Sequence, residues 1–290
     1  MVTGEKTTGE KRADSRATPA KTPWALENIP PFPAVAMRLL RALSGEDVDV
    51  AEVAKIIAVE PVFASRVLKL ANSALFGTFQ EIKAIPEAIL LLGLVHIRAI
   101  TTTQALGDFV SPALHSKTLR ACWENSLAGA VISEKLASCC RMDPDFAYLG
   151  GLMRDIGRLA LLVKHPDAYA KLLADSSERG IDLMAAEREL FDIDHCSAGA
   201  WLIERLPFPE LHEIVAWHHE PLTGGPFRML QLVQIADRMA DALGFGVMAT
   251  APVPDFDDVR HDLPESSRAR FSCDSQELRD EVQTRIRSWS

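Results

Sequence analysis

The chain has 290 residues, 48% of them hydrophobic and 7% aromatic, enough to bury a sizeable core and too apolar for a disordered protein. Thirty-one Lys and Arg stand against 40 Asp and Glu, a formal net charge of −9, which disfavours a chain built to coat nucleic acid or an anionic membrane. The five cysteines, Cys122, Cys139, Cys140, Cys196 and Cys273, include no C-x-x-C pair, so neither a zinc ribbon nor a redox dithiol is indicated, and they read as buried small hydrophobes.

Residues 1–24 are rich in Thr, Lys, Glu, Ala and Gly and carry no apolar h-region. They are expected to form a disordered tail rather than a secretion signal, and the protein is expected to be soluble and cytoplasmic. From Trp24 the texture changes: the proline cluster of residues 29–33 opens a helical pattern with Val35, Leu39, Leu40 and Leu43 on one face. Asp49 is positioned to cap a helix carrying Val53, Ile56 and Ile57, and Pro61 starts another that ends before Gly77. Two buried helices, 85–92 and 94–106, are expected to meet at Gly93, and the Pro-containing break of 111–116 marks a seam between two lobes.

The second lobe is expected to begin with a long helix over 116–139. Pro144 opens the next, which the spacing of Leu149, Leu152, Ile156, Leu159 and Leu162 predicts to run unbroken, with Asp155 in mid-helix. Further helices are expected at 167–177, 183–191, 196–206, 209–219 and 226–243. After Gly244 a linker and a mobile acidic extension are expected, with a short amphipathic helix on which Leu278, Val282 and Ile286 recur every four residues and which needs a docking surface to be stable. The fold class is all-α. Its organisation is a tail (1–24), a two-lobed domain (25–115 and 116–243) and a C-terminal segment (244–290).

Metal-dependent hydrolysis on a helical scaffold needs His and Asp side chains converging from several helices. The second lobe offers Asp155, His195, the pair His218-His219, and Asp237 set among Leu232, Val233 and Ile235. Each alone reads equally as a cap or a surface ion pair. Gly150-Gly151 reads as close helix packing, since no phosphate-loop lysine follows, and His96, His115, His165, His212 and His261 are too scattered to form a site.

The order of these blocks carries a resemblance: IPPFPAVAMRLL at 29–40, VEPVFASRVLKLANSALFG at 59–77, IPEAILLLG at 85–93, GLMRDIGRLAL at 151–161, FDIDHCSAGAWLIERLPFP at 191–209 and IVAWHHEP at 214–221. Residues 25 to about 240 resemble the HDOD domain, a non-catalytic relative of the HD and HD-GYP metal-dependent phosphohydrolases. The resemblance implies an N-terminal helical lobe packed on an HD-like bundle and a bacterial signal-transduction or regulatory role. An active HD enzyme is expected to place histidines where this chain has Asn125 and Arg154, and often a lysine where it has Arg158. Asn is a poor ligand for a transition metal and the arginine cation is none at all, so no catalytic residues and no cofactor are expected. Two geometries are open for Arg154. It either points inward as the counterion of Asp155 and Asp237, or faces solvent while Asp155 pairs with Arg158 near the surface.

Three other readings remain. One is a degenerate phosphohydrolase with residual phosphodiesterase or nucleotide-binding activity. Another is a single divalent metal held by Asp155, His195, His219 and Asp237, with His218 beside it. The third is a helix-turn-helix DNA reader formed by 50–59 and 61–73, with Arg66, Lys69 and Asn72 on its second helix, opposed by the crowding of Glu46, Asp47, Asp49, Glu52 and Glu60. No output domain is evident, so signalling proteins are expected to act in trans, with a small-molecule or nucleotide ligand as a further partner and no membrane.

Overall fold

Local sequence punctuates the helices of the first lobe. The computed structural model describes residues 21–44, 47–73, 80–221, 225–248 and 253–289; the expected tail up to residue 20, the break at Gly77 and Glu46 lie outside them. Helix α1 (Ala34–Ala42) follows the proline cluster, α2 (Val50–Ala58) is capped by the Asp49 carboxylate, which accepts from the Ala51 and Glu52 amides, and α3 (Pro61–Ala71) has proline in its first turn. Helix α4 (Ile85–Val110) contains the expected discontinuity, Gly93 at φ 80° and ψ 158°, a conformation that suits glycine. The stretch Ile85–Ala113 is long and apolar enough to cross a membrane by length and composition, but more than half of it is buried inside the fold.

The remaining helices form the second lobe. They are α5 (Lys117–Cys140), α6 (Pro144–Met153), α7 (Ile156–Lys164), α8 (Pro166–Arg179), α9 (Leu183–Phe191), α10 (His195–Ile203), α11 (His212–Trp217), α12 (Met229–Ala242), α13 (Phe256–Arg260), α14 (Glu265–Arg268) and α15 (Ser275–Trp289). No strand occurs among the described residues, and the fold is all-α. One apolar core gathers α1 to α3 against the first part of α4, through Leu39, Val53, Ile57, Phe63, Val67 and Ile97. The larger core surrounds α5 through Leu127, Ile132, Leu136, Leu152, Leu159 and Val233. The change between them falls inside α4, where Ala105 belongs to the first core and Leu106 to the second, rather than at 111–116.

Two expectations need correction. The helix expected to run unbroken from Pro144 stops at Met153 and restarts at Ile156, so Asp155 stands at the start of α7 with φ −99° and ψ 20°. Apolar residues on both sides hide this break, which is made by the partners of Arg154 and Asp155 and not by a glycine or proline. Within the segment expected as linker and mobile extension, the described residues from 253 on are folded: Phe256, Val259, Leu263, Phe271, Leu278, Val282 and Ile286 are all buried in the larger core, while 249–252 lie outside the described residues. Helix α15 lies along α5, held by Lys135–Glu281 (2.5 Å) and Arg285–Glu134 (3.1 Å), and its Trp289 touches both cores. Cys122, Cys196 and Cys273 are buried as expected; Cys139 and Cys140 are only half-buried.

Candidate functional site

The elbow between α6 and α7 lies beneath α5, α10, α11 and α12. Gly157, in the first turn of α7, packs so closely on α10 that a Cβ there would collide with the His195 carbonyl and the Gly199 amide. That approach brings Asp155 to the start of α10, where Asp194 caps His195 and Cys196 through the Ser197 amide.

Arg154 is fully buried and turned inward. Its Nε and Nη2 donate to Asp237 Oδ1 at 3.0 and 2.6 Å, Nη2 to Asn125 Oδ1 at 2.5 Å, and Nη1 to the Gly151 carbonyl at 2.5 Å, while Nε lies 3.3 Å from Asp155 Oδ2. The Asn125 amide donates to the Phe245 carbonyl at 3.1 Å, which turns its oxygen toward the guanidinium. Gly129 on α5 makes the room, since a Cβ there would overlap the guanidinium. Burial alone would lower the arginine pKa, but Asp237 and Asp155 outweigh it and raise it.

The second geometry open for Asp155 is present as well. Arg158 Nη2 lies 3.2 Å from Asp155 Oδ1, but Arg158 is 6% exposed, so the pair is interior and not a surface ion pair. Against the cost of burial, Arg158, Arg154 and His218 hold the Asp155 carboxyl well below the usual range.

On the far side of Asp155 stands a cluster the sequence only partly indicated. His218 Nε2 and His195 Nε2 lie 3.4 and 3.6 Å from Asp155 Oδ1. Glu187, fully buried on α9, accepts from the His195 amide (2.8 Å) and from His195 Nδ1 (2.6 Å), and the Tyr169 hydroxyl donates to its other oxygen at 2.5 Å. Cys196 Sγ is 3.9 Å from His218 Nδ1. Burial opposes charge here, yet Glu187 lifts His195 to about 10, the Cys196 thiolate and Asp155 lift His218 to about 9, and the two histidines draw the Cys196 thiol down to about 6. Glu187 was illegible because it sits in AAEREL, where its charged neighbours make it look solvent-facing, and Cys196 because a lone cysteine on an apolar helix reads as packing.

An open cleft of about 880 Å³ leads to this centre. Its inner wall carries Asn125, Arg158, His195, His219, Asp237 and Asp241, and residues 176–184 between and around α8 and α9 form the opposite wall. His219 is exposed to the cleft, and burial with the neighbouring Asp237 charge pushes the Asp241 carboxyl up to about 7.

The residues present do not fit a dinuclear metal centre. The Arg154 guanidinium fills the space between Asp155, Asp237 and Asn125, and it offers no lone pair. Of the alternative single-metal set, Asp155, His195, His219 and Asp237, the Asp237 Oδ1 is taken up by Arg154 while the residue also lines the cleft beside His195 and His219. Among the described residues the donors with metal-ligand spacing are instead His195, Cys196, His218 and His219, one donor atom from each lying within 4.8 Å of the others.

In the first lobe, two of the three side chains expected to read DNA are engaged within the protein, while Lys69 is exposed. Arg66 stacks on Trp289, 4.6 Å from the ring centroid, and reaches the Ser288 carbonyl at 3.4 Å. Asn72 exchanges hydrogen bonds with the Ile82 backbone at 2.7 and 2.8 Å.

Comparison with known proteins agrees with this architecture. The HDOD domain model matches residues 29–221. An HDOD domain protein of unknown function from Geobacter sulfurreducens is 24% identical, covers 91% of each chain and superposes with a TM-score of 0.67. A provisionally named phosphohydrolase from Shewanella amazonensis SB2B is 24% identical over 91% of this chain and 94% of its own, with a TM-score of 0.64. A provisionally named signal transduction protein from Marinobacter aquaeolei VT8 is 20% identical over 91% of this chain and 58% of its own, with a TM-score of 0.59. An uncharacterized protein of Treponema pallidum (strain Nichols) is 23% identical over 197 residues, 67% of this chain; the chain spans about two fifths (38%) of the length of that relative. At these identities the structural likeness speaks for the fold alone. With the family model covering most of its length, the chain belongs to the HDOD domain family.

Proposed function

We propose that this chain is a signal-transduction module that acts by binding and not by turnover, its HD-like centre held together by an internal cation. The observation that carries the reading is Arg154: fully buried, it bridges Asp155, Asp237 and Asn125 where a hydrolase needs exchangeable metal and a bound water. A guanidinium neutralises the two carboxylates without offering a coordination position. The cleft beside it, with Arg158, His219, Asp237 and Asp241 on one wall, suits recognition of a small polar ligand, and its second wall lets such a ligand bias the arrangement of α8 and α9. Signalling proteins supplied in trans are the partners this reading implies, and the cytoplasm its compartment.

The alternative, a hydrolase with residual phosphodiesterase activity, is favoured by the open cleft and the exposed His219 but meets the blocked acid pair. The DNA-reading alternative meets Arg66 and Asn72 engaged within the protein. The test is an assay of the purified full chain against cyclic dinucleotides and a generic phosphodiester, with Mn²⁺, Fe²⁺ or Zn²⁺ added. No metal-dependent turnover is expected from the native chain, and the comparator is the double variant Asn125→His, Arg154→His. Metal-dependent hydrolysis by the native protein overturns the proposal.

A further inference from the structure

Helix α15 is built in two unequal parts. Its base is tied to the second lobe alone: the Asp274 carboxylate accepts from the Glu277 amide at 2.8 Å, Leu278 and Val282 are fully buried in the larger core, and Glu281 meets Lys135 of α5 at 2.5 Å. Its end reaches the first lobe. We propose that this end, residues 287–289, is an interlobe clasp: closed, it fixes α3 against the second lobe, and it opens while the base of α15 stays docked.

Trp289 is the joining residue. Alone among the described residues it packs against both apolar cores, so its indole bridges the two lobes. The Arg66 guanidinium of α3 lies over that ring, 4.6 Å from the centroid, and Arg66 Nη1 donates to the Ser288 carbonyl at 3.4 Å. Carbonyls in the last turn of a helix have no partner within it, and the helix dipole favours a cation beside them. A helix of the second lobe is thus capped by a side chain of the first. Burial lowers the Arg66 pKa and Asp108 of α4 opposes that shift, so the contact draws the guanidinium out of water without removing its charge.

One turn back, Arg285 pairs with Glu134 of α5 at 3.1 Å and stands 5.9 Å from the centre of the Tyr148 ring. The Tyr148 hydroxyl shares a hydrogen bond with Thr103 of α4 at 3.0 Å. The helix therefore meets α5, α6 and, through Tyr148, α4 before it crosses to α3.

The two parts differ in what holds them. Opening the base would carry Leu278 and Val282 out of the core. Past Ile286 the helix has no buried residue: Arg287 and Ser288 are exposed and Trp289 is half-buried. The crossing consists of one ring, one stacked guanidinium and one long hydrogen bond at a helix end, where local opening costs least. Because Trp289 and Arg66 stand on opposite sides of the seam, their coupling is reciprocal, and loosening either one frees the other. A partner that holds Arg66 or the indole in the open state shifts the first lobe. None of these residues lines the cleft, and α15 lies C-terminal to residues 29–221, so the clasp is a point of control added to the family domain.

The clasp does not rest on the regulatory reading. The experiment is amide hydrogen exchange, read by mass spectrometry, on the full-length native chain and on Trp289→Ala, Trp289→Phe and Arg66→Ala. In Trp289→Ala the amides of α3 are expected to exchange at least about tenfold faster, and Trp289→Phe, which keeps a ring beneath Arg66, restores most of the protection. In Arg66→Ala, changed only in the first lobe, the end of α15 is expected to exchange faster by a similar factor. The amides of 278–282 and of α10 to α12 are expected to change by less than about twofold in every variant. An unchanged α3 in Trp289→Ala, or an unchanged end of α15 in Arg66→Ala, overturns the clasp. So does faster exchange spread evenly over both lobes, which would make the end of α15 part of the global unfolding unit. Neither result bears on the Arg154 centre, whose test is turnover.

Discussion

Removing the Arg154 side chain tests whether a guanidinium holds the centre together. Arg154→Ala deletes five hydrogen bonds at once, two to Asp237, two to Asn125 (Oδ1 and the backbone carbonyl) and one to the Gly151 carbonyl, and leaves Asp155, 2% exposed, with Arg158 and His218 among its remaining partners. Breaking a buried pair by removing one partner costs about 3–5 kcal/mol, because the other charge stays desolvated. For a chain of this size each kcal/mol moves the melting temperature by about 2–4 °C, so the variant is expected to melt about 6–20 °C lower at pH 7. Arg154→Met retains much of the side-chain volume without the charge and separates a cavity from an electrostatic loss; it is expected to fall near Ala. The pH dependence has a defined sign. In the native chain the Asp155 carboxyl is held well below its ordinary value, so its stabilisation is present above the unfolded pKa, about 4, and is lost as pH falls through the lowered folded value. The variant lacks much of that stabilisation, so the gap between the two melting temperatures is widest near neutrality and closes on acidification. Cooperative unfolding of Arg154→Ala within about 1 kcal/mol of the native chain, with a gap that does not change with pH, refutes the internal counterion.

Three further outcomes follow from the same structure. Gly129→Ala adds a Cβ that would overlap the Arg154 guanidinium, so chemical denaturation is expected to show a loss of about 1–3 kcal/mol even though alanine is the better helix former by about 1 kcal/mol. Burial and Asp237 raise the folded pKa of Asp241 to about 7, so its contribution is fully present below about pH 4 and is lost as pH rises through 7; Asp241→Asn is expected to flatten that decline and to melt above the native chain at pH 8. Leu278→Ala opens a cavity between α15 and α5 at a fully buried position and is expected to cost about 2–5 kcal/mol in urea unfolding, with one transition if the C-terminal helices belong to the cooperative unit.

Most of the helical architecture was legible because its signals are local. Asp49 caps the helix expected of it, prolines open α3 and α6, and Gly93 interrupts α4 where the pattern does. The break at Arg154-Asp155 left no such mark. The residues before it, Leu152 and Met153, are good helix formers, and the backbone turns there as two charged side chains reach partners on α5, α10 and α12 and at His218, which is tertiary information. The C-terminal helices were underestimated for a related reason. Phe256, Val259, Leu263 and Phe271 are single apolar residues in polar surroundings, with no periodic run to announce that each is buried.

The site divides the same way, between residues whose type discloses them and residues whose partners do. Asp155, His195, His218 and Asp237 stand out as polar groups on apolar helices, whereas Glu187 and Cys196 acquire their character from what faces them. That division also bears on the proposal that arginine stands here in place of a metal-binding histidine. Asp155 and Asp237 carry two negative charges, and Arg154 with Arg158 carries two positive ones, the same charge that a single divalent ion supplies. The electrostatic requirement of the acid pair is met from within the chain, so folding no longer depends on a metal there. What a guanidinium does not reproduce is Lewis acidity: it cannot bind a water and lower its pKa to the range where hydroxide attacks a phosphodiester. Charge balance and catalysis, joined in a metal ion, are separable in protein side chains, and the proposed function rests on a centre that keeps the first without the second.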